Sequence, residues 1–133
     1  MTEPQQEPTE RELQILKVLW ERGEATVREV YEVLREELPI VQNTVQAFLR
    51  TMEAKGLVRH RTAGRSFVYR PVHQDHRTKK TMVQSLLDAA FDGAVDQLVA
   101  SAFQARPPSR AEIDRLKELL AQAERDAKGK GER

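Results

Sequence analysis

The sequence predicts a mainly α-helical protein with a small β-hairpin, an N-terminal winged helix-turn-helix followed by a C-terminal three-helix region. Three observations predict this class: three amphipathic helical patterns at the start, a switch to short strand-like runs directly after them, and a later return of helical periodicity. The length of 133 residues suits one or two small domains. We expect a winged helix-turn-helix over 1–72, a helical region over 73–125 and a charged flexible tail over 126–133.

Capping boxes mark the starts of the first two helices. Thr9 with Glu12, and Thr26 with Glu29, have the T-x-x-E spacing in which each side chain caps the backbone N–H of the other residue. The first helix has apolar residues over a broad arc, so we expect it to contact more than one neighbour. The second has them at i, i+3, i+4 and i+7, and we expect it to run to Leu38, just before a proline.

A third helix and two short strands complete the N-terminal part. The helix is predicted from Gln42 to Lys55, where a glycine follows. The strands are predicted at 57–61 and 66–70 because both are rich in β-forming residues, and 62–65 contains the glycine of a turn. Three helices followed by a hairpin, with short connections, indicate a winged helix-turn-helix.

Helical periodicity returns after a polar linker and is interrupted twice. Gly93 and the segment 106–108, which has two prolines, separate three helices, and Ser109 with Glu112 forms a third capping box. Three such helices cannot bury much apolar surface alone. We therefore expect their stripes to pair with a second copy of the chain, and the alternative is burial against the N-terminal domain. The residues predicted at the dimer interface are Leu86, Leu87, Phe91, Leu98, Val99, Phe103, Ile113, Leu116 and Leu120.

The net charge of +1 conceals a basic block in the middle of the chain. Residues 40–82 contain nine lysines and arginines against two acids, whereas residues 1–39 contain five against ten. Such a block between acidic flanks indicates a site for a polyanion, and the alternative is an unevenly charged, solvated surface.

Composition excludes several classes of function. The absence of cysteine excludes disulfides and thiol chemistry, and no apolar run approaches the ~20 residues that span a bilayer. The first residues are polar and do not form a secretory signal, so we expect a cytoplasmic protein without direct membrane insertion. His73 and His76 lack a further ligand pattern, and no catalytic constellation stands out. We expect no metal site, no cofactor and no enzymatic activity.

The solvent face of the third helix has the composition of a DNA-reading surface. Asn43, Gln46, Ala47 and Arg50 lie at i, i+3, i+4 and i+7, opposite the apolar stripe, and include no acid. At 1.5 Å per residue they span about 10.5 Å, close to the ~12 Å width of the major groove. Amides pair with adenine, arginine with guanine, and alanine with a thymine methyl group. A merely solvated helix face would usually have Glu/Lys pairs, so we predict base reading here.

Residues beside this face are predicted to bind the DNA backbone. The first turn of the helix is placed to contact phosphates or bases alongside the helix N-terminus, and the hairpin arginines suit phosphate or minor-groove contact. Charge protection of a strand edge is the alternative for the hairpin, and both interpretations stay open for Arg59 and Arg70. The residues predicted to contact the DNA backbone or groove are Gln42, Thr44, Arg61 and Arg65.

Short motifs follow one another across residues 9 to about 124 in a distinctive order. They are Thr9–Trp20, Ala25–Val30, Asn43–Val45, Met52–Val58 and, in the hairpin, Gly64–Pro71. In this order and spacing they resemble the penicillinase-repressor family of bacterial transcription regulators. The resemblance implies a homodimeric repressor in which the winged helix binds a dyad-symmetric double-stranded DNA operator and the C-terminal helices dimerise.

The resemblance also implies a route of induction. In the antibiotic-responsive members a membrane-embedded sensor metalloprotease triggers cleavage in the C-terminal region, which makes such a protease an expected partner. The position of their scissile Asn-Phe pair is occupied here by Ser101 and Ala102, with Phe103 one residue later. Two other functions suit the same fold class. One is a ligand-gated winged-helix regulator of the MarR kind, and the other is a winged helix used only for protein–protein contacts.

Overall fold

The computed structural model describes residues 7–129. These residues divide into two compact units, one up to Ser85 and the other from Leu86 onward. The first unit has the predicted order of three helices and a hairpin, and adds one strand. Its elements are α1 Glu10–Arg22, β1 Ala25–Thr26, α2 Val27–Leu34, α3 Gln42–Ala54, β2 Val58–Ala63, β3 Ser66–Pro71 and most of α4 Asp75–Phe91.

The three strands form an antiparallel sheet in the order β1-β3-β2. Strand β1 is the element that sequence reasoning missed, because two residues are too few to show alternation. Thr26 has extended backbone angles, as an N-cap residue requires, so it ends β1 and caps α2 at once. The sheet therefore begins in the connection between two helices.

The hairpin is longer and its turn tighter than predicted. Ala63 pairs with Ser66, so the turn is Gly64 and Arg65 alone and not the four residues 62–65. Gly64 has φ of 63°, whereas Arg65 has negative φ. Positive φ at the first central position is the pattern of a type II′ hairpin turn, whose twist matches that of the strands.

Helix α2 is shorter than predicted, since it ends at Leu34 and not at Leu38. Two backbone N–H groups, those of Glu37 and Leu38, donate to the Leu34 carbonyl and close the helix with a turn. Helical angles are also disfavoured at Leu38, the residue before a proline, so the helix does not resume after this turn. Leu38 still packs against the core from this turn.

The core of the first unit lies between the three helices and the sheet. The predicted apolar stripes of the helices supply most of it, and Tyr69 closes it from β3. The side chains with the least exposed surface are Ile15, Leu16, Leu19, Val30, Val45, Leu49, Met52, Val58 and Tyr69.

A buried ion pair joins the start of α1 to the end of α3. The first capping box is confirmed: the Thr9 N–H donates to Glu12 Oε1 at 2.9 Å, and the Glu12 N–H donates to Thr9 Oγ1 at 3.2 Å. Lys55 Nζ also donates to Glu12 Oε1, at 2.7 Å, and the Glu12 side chain is only 3% exposed. A capping group of one helix therefore fixes the far end of another.

The first part of α4 belongs to the first unit. Thr78 is buried, and Trp20 Nε1 donates to the His73 carbonyl at 2.8 Å. These contacts hold the segment after the hairpin against α1. The two units therefore meet between residues 85 and 86, whereas the sequence predicts a boundary between residues 72 and 73.

The second unit contains the end of α4, α5 Val95–Ala105 and α6 Arg110–Gly129. The predicted breaks are confirmed at Gly93 and at 106–108, and the third capping box forms between Ser109 and Glu112. The tail predicted as flexible over 126–133 is helical as far as Gly129, because side-chain bonds such as that from Gln122 to Asp126 support the last turns. Residues 130–133 lie outside the described residues.

Candidate nucleic-acid interface

Helix α3 has a buried side and a polar side, as the sequence predicts. Its stripe of Val45, Leu49 and Met52 is fully buried. The predicted reading residues lie on the other side, where Asn43, Ala47 and Arg50 are exposed and Gln46 is half-buried. The structure therefore brings these four residues together on one accessible helix face.

The N-terminal end of α3 is open to solvent. Its N-cap residue is Val41, whose side chain provides no capping hydrogen bond and is 60% exposed. Gln42 and Thr44 are also exposed. The Thr44 N–H donates to the Val41 carbonyl at 3.1 Å, so the first turn is tightened. An uncapped first turn leaves backbone donors available to an anion.

One face of the hairpin is fastened to α3 through an aromatic cluster. The His60 ring stacks on Phe67 with centroids 4.2 Å apart and lies 5.5 Å from the Tyr69 ring. His60 Nδ1 is 2.8 Å from Oε1 of Glu53 on α3. Because a carboxylate only accepts, Nδ1 of His60 is the donor in this hydrogen bond. The hairpin is thus held at a fixed angle to the candidate reading helix.

Glu53, the acid of this cluster, does not present a free carboxylate beside the DNA-reading face of α3. Burial raises the pKa of Tyr69, as does the negative charge of Glu53, whereas the positive charge of Arg50 lowers it. Arg50 is therefore close enough to Tyr69 of the hairpin to interact with it electrostatically. The Glu53 carboxylate is engaged by His60, so the predicted face presents its arginine without a neighbouring free acid.

The opposite face of the hairpin is rich in arginine. Residues 59 and 61 of β2 and residue 70 of β3 lie on this face, because strand residues alternate between the two sides. Arg61 donates through Nη2 to Glu24 Oε2 at 2.8 Å and through Nε to Oε1 at 3.3 Å. This hydrogen bond is the main cause of a lowered pKa of Glu24 and a raised pKa of Arg61. Arg65 lies at the exposed tip of the turn.

The sequence did not predict the ion pairs that two acids of this region form. Glu24 reaches Arg61 across 37 positions of sequence, and Glu53 reaches His60 from a neighbouring element. The proximity of Glu24 depends on β1, which brings the start of α2 beside β3. No local pattern in the sequence indicates either pair.

The C-terminal unit leaves its apolar side chains uncovered. Neither α5 nor α6 has a buried residue. Of the nine residues predicted for dimerisation, Leu87, Phe91, Leu98, Ile113 and Leu116 are half-buried. The others are exposed, with relative exposures of 50% for Leu86, 38% for Val99, 40% for Phe103 and 70% for Leu120. Ser101 and Ala102, at the position of the predicted cleavage, are exposed within α5.

Residues 7–129 contain neither a metal-binding cluster nor a membrane-spanning helix. No group of three or more histidines and acids in this range is arranged to hold a metal ion. No helix in the same range is both long enough and apolar enough to cross a membrane.

Comparison with known proteins places the chain in a family. The family model described as "Penicillinase repressor" matches residues 8–122. The penicillinase repressor of Bacillus licheniformis is 26% identical over 112 residues, covering 84% of this chain and 88% of its own. An "uncharacterized 16.5 kDa protein in ptsI 3'region" of Latilactobacillus sakei is 22% identical over 120 residues, covering 90% of this chain and 82% of its own.

Two solved structures were also matched. The solution structure of the DNA-binding domain of the repressor BlaI has 29% identity and a TM-score of 0.49, covering 56% of this chain and 90% of its own. An ArsR-like transcriptional regulator from Rhodococcus sp. RHA1 has 21% identity and a TM-score of 0.41, covering 76% and 86%. The family model spans most of the sequence and includes the winged helix-turn-helix, α5 and the larger part of α6. The chain therefore belongs to the penicillinase repressor family, whose members are transcription repressors and not enzymes.

Proposed function

We propose that the protein is a cytoplasmic, homodimeric repressor that binds a dyad-symmetric DNA operator in a sequence-specific way. The observation that carries the proposal is the acid-free polar face of α3, held by a buried stripe on its other side. In a helix-turn-helix this helix lies in the major groove. Asn43 and Gln46 would read adenine, Arg50 would read guanine, and Ala47 would contact a thymine methyl group.

The surroundings of α3 supply backbone contacts. Gln42 and Thr44 are exposed in its open first turn, where backbone N–H groups favour a phosphate. Arg65 is exposed at the tip of the hairpin, and the Arg61 side chain is 57% exposed although it donates to Glu24 through Nε and Nη2. Contacts of this kind add affinity and salt dependence but little choice of sequence.

The uncovered C-terminal helices support the homodimer. Their apolar residues lie in stripes at helical spacing, yet none in α5 or α6 is buried within one chain. Two copies related by a twofold axis would bury the same stripe on both sides. A dimer would also hold two α3 helices about one DNA turn, or a multiple of it, apart.

Induction by cleavage between Ser101 and Ala102 is the finer part of this proposal, with a membrane sensor metalloprotease as the partner. The two residues are exposed and lie in the middle of α5. In the single chain α5 buries no side chain, and such a helix opens locally at low cost, which would admit a protease before the dimer forms or after it dissociates. Cleavage there would remove α6 from the rest of the chain.

Base reading and backbone binding are separated by two substitutions. The preferred site is first selected from a random-sequence duplex library with the full-length protein. Arg50→Ala should cost about 1–3 kcal/mol on that site and flatten the preference at one base position. Arg65→Ala should weaken selected and random DNA alike, and reduce the slope of log K against log salt by about one.

Lys17→Ala serves as the control, since Lys17 is an exposed cation that belongs to α1 and to neither α3 nor the hairpin. It should leave both affinity and base preference unchanged. Failure of the wild-type protein to prefer any sequence would contradict the proposed function. An unchanged base preference in Arg50→Ala would contradict the assignment of the α3 face.

A further inference from the structure

Two arginines face each other across the hairpin strands. Arg59 of β2 is the direct partner of Arg70 of β3 in the antiparallel register, so both side chains leave the same face of the sheet. Directly opposed residues have Cβ atoms only ~4.5–5.5 Å apart, and like charges in this position are unfavourable. The pair therefore needs a counter-charge.

The chain itself supplies little of that counter-charge. Within residues 7–129, the side chains of Arg59 and Arg70 form no hydrogen bond or ion pair, although their backbones belong to the β2–β3 ladder. Glu24 is paired with this face, and both of its oxygens accept from Arg61. The charge of Arg70 contributes only weakly to the lowered pKa of Glu24, after that of Arg61. The carboxylate of Glu24 is thus paired with Arg61, and neither Arg59 nor Arg70 has an acid of its own among the described residues.

A small cleft lies beside the pair. Arg59 and Arg70 line it together with Pro71 and Val72, and its volume is about 170 Å³. Pockets for drug-sized ligands are larger, roughly 300–1,000 Å³. The cleft has room for a compact anion, and both arginines contribute to its lining. Each guanidinium group can bind a phosphate through two parallel N–H···O bonds.

We propose that Arg59 and Arg70 form a site for a phosphate group, on the face of the hairpin opposite the one that His60 fastens to α3. The site is distinct from the base-reading face and lies at the base of the hairpin, away from the tip at Gly64 and Arg65. Its ligand is either a free phosphate compound or a phosphodiester of the DNA backbone outside the segment read by α3. The DNA source rests on the proposed function, whereas the free anion does not.

The first experiment uses the full-length protein without DNA and inorganic pyrophosphate as the probe. Thermal unfolding is followed with increasing pyrophosphate while sodium chloride keeps the ionic strength constant. The wild-type midpoint should rise, because a ligand that binds only the folded state stabilises it. The double variant Arg59→Gln/Arg70→Gln should lose this rise, and the single variant Arg59→Gln should lose most of it.

A matched control removes the same charge elsewhere. Arg28 and Arg35 are exposed on α2 and both pair with Glu32. Arg28→Gln/Arg35→Gln should keep the full response to pyrophosphate. Without pyrophosphate, the Arg59/Arg70 double variant should unfold no earlier than the wild type, because an unfavourable charge pair has been removed. A pyrophosphate response equal to that of the wild type in this variant would overturn the site.

The second experiment identifies the source of the phosphate. The double variant is titrated with the selected DNA site over a range of salt concentrations. A DNA source should lower the slope of log K against log salt by about one, since one phosphate contact is lost, with base preference unchanged. An unchanged slope, together with a lost pyrophosphate response, assigns the site to a free phosphate compound. An unchanged slope and an unchanged pyrophosphate response together would overturn the proposal, even where the wild type binds its operator normally.

Discussion

The buried Glu12–Lys55 pair makes a quantitative prediction about the first unit. Glu12→Ala removes the acceptor for the Thr9 N–H, and the loss of a helix cap costs about 1 kcal/mol. It also leaves Lys55 without its partner. Breaking a buried pair costs roughly 3–5 kcal/mol, but the Lys55 side chain is 20% exposed and can be partly hydrated. We therefore expect about 2 kcal/mol from this term and about 3 kcal/mol in total.

The second capping box provides the matched control. Thr26 and Glu29 make the same two hydrogen bonds, at 2.8 and 3.1 Å, but in an exposed position and without a lysine from another helix. Glu29→Ala should therefore cost only about 1 kcal/mol. The difference between the two variants isolates the contact between α1 and α3.

Urea unfolding with tryptophan fluorescence measures this difference. Trp20 is the single tryptophan and lies in α1, so its signal reports on the first unit. With a slope of about 2 kcal/mol per molar urea, Glu12→Ala should lower the midpoint by about 1.5 M and Glu29→Ala by about 0.5 M. Equal losses in the two variants would refute the argument. The argument would also be refuted if the losses of unfolding free energy in Glu12→Ala and Lys55→Met were fully additive in the double variant, because residues in contact should couple.

Two further predictions concern the dimer and the response to pH. Ending the chain after Ser101 removes part of α5 and all of α6, so sedimentation should show a monomer, and operator affinity should fall by a factor of about 10²–10⁴ while the winged helix stays folded. A dimer of full affinity would contradict both the interface and the induction route. Burial, and then the charge of Arg77, lower the pKa of His73 below its usual 6.5, so the neutral ring is favoured in the fold. The contribution of the neutral His73 ring to the free energy of unfolding should be complete above pH 6.5 and should decline as the pH falls below that value. His73→Gln should remove that decline when the free energy of unfolding is measured at a series of pH values. A decline of the same size in that variant would assign it to other groups.

The sequence by itself determined the elements whose causes are local. The three capping boxes each involve residues three apart, so T-x-x-E and S-x-x-E predicted the helix starts that the structure has. The side chains of α3 were divided correctly into a buried stripe and a polar face because helical periodicity depends only on spacing. The helix breaks at Gly93 and at 106–108 were also predicted correctly, because glycine and proline interrupt a helix through their own backbone properties.

Tertiary structure decided the features that depend on distant residues. Strand β1 exists only because β3 supplies its partners, and Tyr69 and Val68 come more than forty positions later. The end of α2 at Leu34 is not visible in its apolar period, which continues to Leu38, because a closing turn in which Glu37 and Leu38 donate to the Leu34 carbonyl ends the helix first. For β1, hydrogen bonds to another part of the fold outweigh local propensity.

The electrostatics of the candidate site show the same division. The sequence places five arginines from 50 to 70 but does not reveal which of them meet an acid. The fold brings Glu24 to Arg61 and Glu53 to His60, and leaves Arg59 facing Arg70. Charge pairs act over a few ångströms in space, whatever their separation in sequence. Strand register and helix packing therefore decide which cations are neutralised and which remain available to an anion.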